Sequence, residues 1–285
     1  MAKYLNPKAD LTFKKIFGQH KNLVMSLLNA LLPLPDGMKI ESVEYVTTEN
    51  ILNTPAKKYS IVDVKCIDNY KRQFIVEMQS YWTQEFFSRT VFSAATAYSN
   101  QLGKGISFLE LKDVYALSLV NEEAFCYNKD GEYIQEYYLT NKNHTEDIHT
   151  NIALIFVELP KFKPGNKGDK KMKDLWMKFL TQIDEHTREV DADLLENPEI
   201  KEALDIVEES AYNDSELAAY QKYWLDIATE RSAILGAEQR GEKRGIQRGA
   251  QTEKISIAKK MKAHGDSIEY IAEMTGLSIN EINKL

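Results

Sequence analysis

The sequence predicts an α/β or α+β fold in which helices cover a mixed sheet, followed by an all-helical C-terminal region. Strand-like and helix-like segments alternate up to about residue 160, and only helical patterns follow. A chain of 285 residues is long enough for one full core and a smaller appendage. We therefore expect a core at 1–160, an acidic helical region at 161–235 and a Gly- and Arg-punctuated helical tail at 236–285.

One helix and three strands are predicted first. Apolar residues recur mostly at three- and four-residue spacing over Asp10–Leu32, and Pro33 ends this helix. Strand-like segments follow at Lys39–Thr47, Lys58–Ile67 and Arg72–Gln79. The turn residues Asp68–Asn69–Tyr70 join the second and third segments closely, which predicts an antiparallel hairpin.

A second helix and the remaining strands complete the predicted core. The helix should cover Gln84–Leu102 and end at Gly103. The nearly continuous apolar run at Asp113–Val120 is typical of a strand buried on both faces. The last expected elements are a hairpin of Ala124–Tyr127 and Tyr133–Leu139, turning at Asn128–Gly131, and a strand at Asn151–Glu158.

The C-terminal region should be helical. We expect helices near Lys170–Thr187, Pro198–Ser210, Asp214–Leu235 and Gln239–Ala263. The segment Ser267–Leu285 has the spacing of two short helices joined by a tight turn at Gly276, as in a helix-turn-helix. This hairpin could contact DNA, or it could be a packing or oligomerisation hairpin that makes the protein a homo-oligomer through its C-terminal helices.

Composition excludes several classes of protein. The two cysteines are too few for a disulfide framework or a four-thiolate zinc site. No apolar stretch near the N-terminus is long enough to span a bilayer, so we expect a cytoplasmic protein with no membrane partner. The net charge is -7, but residues 184–216 contribute 13 acids against two basic residues, so the remainder sums to +4. This distribution permits binding to DNA.

Two neighbouring strands carry acidic side chains within apolar patterns. Strand side chains alternate between faces, so Asp63 and Lys65 share one face, and Glu77 and Gln79 share a face of the next strand. Buried carboxylates are usually paired or bound to a metal, and oxygen ligands suit Mg²⁺. The residues alone leave two interpretations open, a metal site or a salt bridge from Asp63 to a nearby lysine.

Several short motifs occur in an order that matches a known family. They are Asp10–Gly18 (DLTFKKIFG), Ile61–Val64 (IVDV), Phe74–Gln79 (FIVEMQ), Arg89 and Tyr98–Leu102 (YSNQL). The region Asn6–Glu158 thereby resembles the Rpn family of recombination-promoting nucleases, also described as transposases, of the PD-(D/E)XK superfamily. The resemblance implies a restriction-endonuclease-like core with a mixed central sheet.

The resemblance also implies a metal-binding catalytic site. Asp63 and Glu77 match the two metal-ligating acids, the backbone carbonyl of Met78 would be a further ligand, and Asp10 matches the outer acid. Gln79 stands where most of the superfamily has lysine. Either the glutamine suffices or another cation substitutes.

Two basic residues near this site are therefore of interest. Lys65 is the best candidate for the substitute cation, because it shares the face of Asp63. Arg89 could hold phosphate, although a salt bridge to Glu85 on the same helix is an equally good interpretation.

The implied function is that of a Mg²⁺-dependent endodeoxyribonuclease with low sequence specificity, connected to recombination or mobile elements. The alternative is a catalytically degenerate DNA-binding or protein-interaction module on the same fold, because the expected lysine is missing. A third interpretation, an RNase H-like transposase, requires three acids in another order of elements.

In the tail, Arg240, Arg244 and Arg248 form a stripe at four-residue spacing that could touch DNA phosphates or belong to a solvated linker.

Overall fold

The computed structural model describes residues 3–35, 37–46, 64–103, 105, 107–125, 132–164 and 171–285. The chain divides into two compact units, Met1–Trp224 and Leu225–Leu285. The first contains a sheet with helices on both faces, and the second is helical.

The first unit contains a mixed sheet. Its strands are β1 (Val43–Tyr45), β2 (Val64–Asp68), β3 (Gln73–Gln79), β4 (Val114–Val120), β5 (Ile134–Asn141) and β6 (His144–Glu158). They lie in the order β1-β2-β3-β4-β6-β5. The pairs β3–β4 and β4–β6 are parallel, and the other pairs are antiparallel. The predicted hairpin of the second and third strands is therefore confirmed.

Within the described ranges, six α-helices precede a much longer seventh. They are α1 (Asp10–Phe17), α2 (Lys21–Leu31), α3 (Gln84–Ser99), α4 (Met172–Gln182), α5 (Ala192–Glu196) and α6 (Pro198–Val207). Helix α7 (Asp214–His264) begins in the first unit and continues into the second, which also contains α8 (Ile268–Thr275) and α9 (Ile279–Asn283).

The sheet separates two apolar clusters. On one face Phe74 and Val76 pack with apolar residues of α1, α2, α4 and α6. On the other face Ile75 packs with the buried side of α3, including Phe86 and Ala94. Adjacent residues of β3 thus contribute to opposite faces, as strand alternation requires. This arrangement confirms the predicted α/β fold.

The first predicted helix is two helices, so the expectation of one helix over Asp10–Leu32 was wrong. The backbone N–H of Gly18 donates to the carbonyl of Lys14 at 2.8 Å, which ends α1. A Cβ at position 18 would lie only 2.6 Å from that oxygen. His20 has an extended backbone, and its Nδ1 lies 2.8 Å from the carbonyl oxygen of Lys15. The apolar spacing resumes after this break, which hides it from periodicity.

The predicted hairpin of Ala124–Tyr127 with Tyr133–Leu139 is not formed where the structure describes its first strand. Ala124 and Phe125 are not in a strand, and residues 126–131 lie outside the described ranges. Instead β5 pairs with β6, which begins at His144 rather than at the predicted Asn151. The outer half of β6 is exposed and mostly polar, so no apolar pattern marks it, and it is paired with β5.

The second unit is a helical assembly. The two helices predicted at Asp214–Leu235 and Gln239–Ala263 are one continuous helix of 51 residues, which corrects that expectation. Its C-terminal part packs with α8 and α9 around Ala258, Ile271, Leu277 and Ile282. Gly276 has φ 65°, the left-handed conformation that favours glycine, and forms the predicted tight turn.

Candidate active site

Glu77 lies near the C-terminal end of β3 in the middle of the sheet. Its side chain is on the face covered by α3, and the residue is only 5% exposed. In the parallel ladder with β4 its register partner is Ser118, which is also buried. The Ser118 Oγ finds no hydrogen-bond partner within the described residues. A buried carboxylate and a buried hydroxyl are therefore neighbours in an otherwise apolar layer.

Asp63, the second predicted acid, lies outside the described residues. The first described residue of β2 is Val64, which pairs with Val76, the residue before Glu77. Among the residues that the structure describes, no group of three or more His, Cys, Asp and Glu side chains could hold a metal ion.

The side chain of Gln79 is held at both ends. Its Nε2 donates to the carbonyl oxygen of Tyr81 at 3.0 Å, and its Oε1 accepts from Nη2 of Arg89 at 3.0 Å. Arginine can only donate and a carbonyl can only accept, so these two contacts fix the orientation of the amide. The structure therefore pairs Gln79, which replaces the expected lysine, with Arg89, the one basic residue of α3.

Arg89 lies on the second turn of α3, whose first turn is capped by Thr83. The Thr83 Oγ1 accepts from the backbone N–H of Phe86 at 3.1 Å, and the guanidinium carbon of Arg89 lies 5.1 Å from the Phe86 ring centroid. Arg89 itself is exposed. The salt bridge to Glu85 that the sequence left open is not formed, and no other carboxylate of the described ranges pairs with Arg89.

Lys65 lies on β2 opposite Ile75, on the same face of the sheet as Glu77. It is half-buried, and burial lowers the pKa of its ammonium group below the ordinary value. The part of the chain that the structure describes places no carboxylate within ion-pairing distance of it. Within these residues, the charge of Lys65 is therefore poorly solvated and is not neutralised by a carboxylate.

The two remaining predicted metal ligands are Asp10 and Met78. Asp10 is the first residue of α1, and its carboxylate pairs with the ammonium of Lys14 at 2.6 Å. Met78 pairs in register with Leu119, and its side chain packs on the face of the sheet opposite Glu77. Only its backbone can therefore contribute to a site on the face of Glu77.

Some polar residues of this region carry no sequence motif. Ser80 follows β3, and its Oγ lies 3.0 Å from the phenol oxygen of Tyr223 near the start of α7. Farther along the sheet Glu158 is fully buried, accepts the backbone N–H groups of Ala124 and Phe125, and pairs with Lys161 at 2.8 Å. The contacts of Ser80 with Tyr223 and of Glu158 with Ala124 and Phe125 join residues far apart in the chain, so a local pattern could not have indicated them.

The arginine stripe of the tail lies on α7 within the second unit. Arg240, Arg244 and Arg248 are all exposed, and the uninterrupted helix preserves their four-residue spacing. A Cβ added at Gly241, Gly245 or Gly249 would meet no atom within 4 Å. The glycines therefore do not serve close packing inside the described unit.

Comparisons with known proteins identify one family. A family model described as PD-(D/E)XK nuclease family transposase matches residues 7–232, which is most of the chain. No curated protein and no solved structure matches. Within the described ranges, no helix combines the length and the apolar character needed to cross a bilayer.

Proposed function

Because the chain belongs to the PD-(D/E)XK nuclease family transposases, we propose that it is a metal-dependent DNA endonuclease that hydrolyses phosphodiester bonds with little sequence preference. We also propose a role in recombination or in the movement of mobile elements. The observation that carries the proposal is the buried Glu77 on the sheet face covered by α3, in register with Ser118, whose hydroxyl has no hydrogen-bond partner among the described residues.

The proposed metal ligands are the carboxylates of Asp63 and Glu77 and the backbone carbonyl of Met78, with Asp10 as the outer acid. Of this set, Asp63 lies outside the described residues, and Glu77 is the buried carboxylate that the structure describes. The donors present fit a hard cation, since they are carboxylate, carbonyl and hydroxyl oxygens. The orphaned Ser118 Oγ is consistent with a polar group bound nearby.

A bound Mg²⁺ would supply a water of lowered pKa and neutralise charge developing on the scissile phosphate. The residues of the chain have separate roles in this proposal. Glu77 is fixed by β3 in the centre of the sheet, so its carboxylate needs little reorganisation on binding. Gln79 and Lys65 are on the same face, and they are the residues that we propose to assist the attacking water and the phosphate.

We propose that the tail increases the affinity for DNA. Arg240, Arg244 and Arg248 are exposed donors at equal spacing along one helix, and arginine contacts phosphate without reading sequence. The terminal hairpin suits packing better than groove reading, because α9 is short and Tyr270, Met274 and Ile279 are exposed apolar residues around the turn. Association of the C-terminal helices into a homo-oligomer remains part of this proposal.

A second candidate is a DNA-binding or protein-interaction module without catalysis. The specific observation in its favour is Gln79, an uncharged residue whose amide is already engaged by Tyr81 and Arg89. Both forms of this second candidate predict no hydrolysis. The DNA-binding form shares the prediction of DNA binding with the nuclease, and the protein-interaction form does not.

Supercoiled-plasmid nicking by purified protein separates them. We expect Mg²⁺-dependent nicking by the wild type, loss of nicking for Glu77→Gln, and retention for Glu44→Gln, which alters an exposed carboxylate on β1. The Gln substitution keeps the shape of the side chain, and thermal melting of each variant checks the fold. Equal nicking by wild type and Glu77→Gln, or none by either, would overturn the nuclease proposal.

A further inference from the structure

Gln79, which stands where most of the superfamily has lysine, contacts a positively charged residue, Arg89 of α3. The amide of Gln79 has one acceptor oxygen and two N–H donors, and the oxygen receives the Arg89 guanidinium at 3.0 Å. A lysine at position 79 could not accept this hydrogen bond, and its ammonium would repel the guanidinium. The glutamine is therefore suited to hold an arginine.

Arg89 is also held from its own helix. Its guanidinium carbon lies 5.1 Å from the ring centroid of Phe86, a buried residue of the same helix. Gln79 and Phe86 together restrict a side chain that would otherwise sample many rotamers. The guanidinium nevertheless remains exposed and has no carboxylate partner in the described ranges, so its remaining N–H donors can reach a ligand.

The location matches the proposed site. Gln79 is two residues after Glu77 on β3, so the two side chains leave the same face about 6.6 Å apart along the strand. Arg89 therefore contacts a side chain that lies two positions after the carboxylate proposed to ligate the metal. Lys65 is half-buried, whereas Arg89 is exposed and presents a planar guanidinium whose N–H donors match phosphate oxygens.

We propose that Gln79 is a positioning residue for Arg89, and that Arg89 supplies the positive charge next to the scissile phosphate that a lysine at position 79 would otherwise supply. This inference rests on the proposed nuclease function. Arg89 transfers no proton in this role. It donates hydrogen bonds to a non-bridging phosphate oxygen whose negative charge increases as water attacks phosphorus.

A double-mutant cycle tests whether Gln79 acts through Arg89. Nicking rates are compared for wild type, Arg89→Ala, Gln79→Leu and the double variant, with Arg188→Ala as an exposed arginine control. We expect each single variant to lose about 100-fold in rate, and the double variant to lose no more than Arg89→Ala. Arg89→Lys should recover part of the rate. Multiplicative losses, or a wild-type rate for Arg89→Ala, would overturn the inference.

A second readout is independent of hydrolysis. Binding to a short DNA duplex in EDTA is measured by fluorescence anisotropy at several salt concentrations. One lost phosphate contact reduces the slope of log K against log salt by about 0.9. We expect that reduction for Arg89→Ala, a partial one for Gln79→Leu and none for Glu44→Gln.

The two readouts separate the failure of this inference from the failure of the nuclease proposal. A wild type that binds DNA but never nicks would overturn the nuclease proposal and the catalytic role of Arg89 together. An active wild type whose binding slope is unchanged by Arg89→Ala would overturn the phosphate contact alone.

Discussion

Glu77 and Ser118 are register partners in the parallel pair of β3 and β4, and both side chains are directed to the sheet face that α3 covers. Glu77 belongs to a motif, whereas Ser118 lies 41 residues later in an apolar run without any motif. The two residues are neighbours only because β4 lies beside β3.

The first prediction concerns the hydroxyl of Ser118. Ser118→Ala removes a buried oxygen without a partner in the described residues, so we expect the metal-free protein to gain about 1 kcal/mol in free energy of unfolding. The stabilisation by added Mg²⁺ should decrease, because a neighbouring polar group is lost. Thermal melting with EDTA and with Mg²⁺ measures both effects.

Thr90→Val is the matched control for this substitution. The Thr90 hydroxyl is buried and donates to the carbonyl of Phe86 at 3.0 Å, so its removal should destabilise the protein by about 1 kcal/mol. A comparable destabilisation by Ser118→Ala would show that the Ser118 hydroxyl has a structural partner.

The second prediction concerns the buried pair of Glu158 and Lys161. Lys161→Met leaves a fully buried carboxylate without its cation, and we expect a loss of about 3 kcal/mol in the free energy of unfolding. Urea denaturation measures it. Lys163→Met, which changes an exposed lysine two residues later, should have an effect within about 0.5 kcal/mol. Equal effects of the two substitutions would contradict a structural role for the pair.

The third prediction concerns the pH dependence associated with Lys65. Burial lowers its native pKa below the ordinary 10.5, so the native state binds fewer protons than the unfolded state between these two values. The stability penalty of a buried ammonium is fully present below the native pKa and is lost as the pH approaches 10.5. Lys65→Met should therefore raise Tm at neutral pH, and this gain should shrink in alkaline buffer.

Melting curves from pH 7 to about 10 measure that change, with Lys112→Met as an exposed control. A gain for Lys65→Met that is constant over this range would contradict a lowered pKa. Nicking by the same variant also reports whether Lys65 takes part in catalysis.

The fourth prediction concerns the glycines of α7. Gly245 is in the helix interior and a Cβ there meets no atom within 4 Å, so Gly245→Ala should stabilise the helix by about 1 kcal/mol. Gly276→Ala places a side chain at φ 65° and should instead cost about 1 kcal/mol. Circular dichroism melting compares the two. A destabilising Gly245→Ala would indicate that another chain approaches this face of the helix.

The sequence indicated the elements whose signal is local. Alternation placed Glu77 and Gln79 on one face of a strand, and the turn chemistry at Asp68–Tyr70 predicted the hairpin of β2 and β3. It did not locate the break after Gly18, because the apolar spacing is similar on both sides. The continuity of α7 was missed because each glycine lowers helix propensity, whereas about 1 kcal/mol per site does not interrupt a helix of 51 residues.

The tertiary structure decided which side chains meet. Strand order placed Ser118 beside Glu77, and the packing of α3 on the sheet brought Arg89 to Gln79. The fold also brought the backbone N–H of Ala124 to the carboxylate of Glu158. These contacts join residues 10 to 41 positions apart, and no local periodicity encodes such pairs. By itself the sequence determined the residue types available for a metal site, and only packing decided that the glutamine at position 79 holds an arginine.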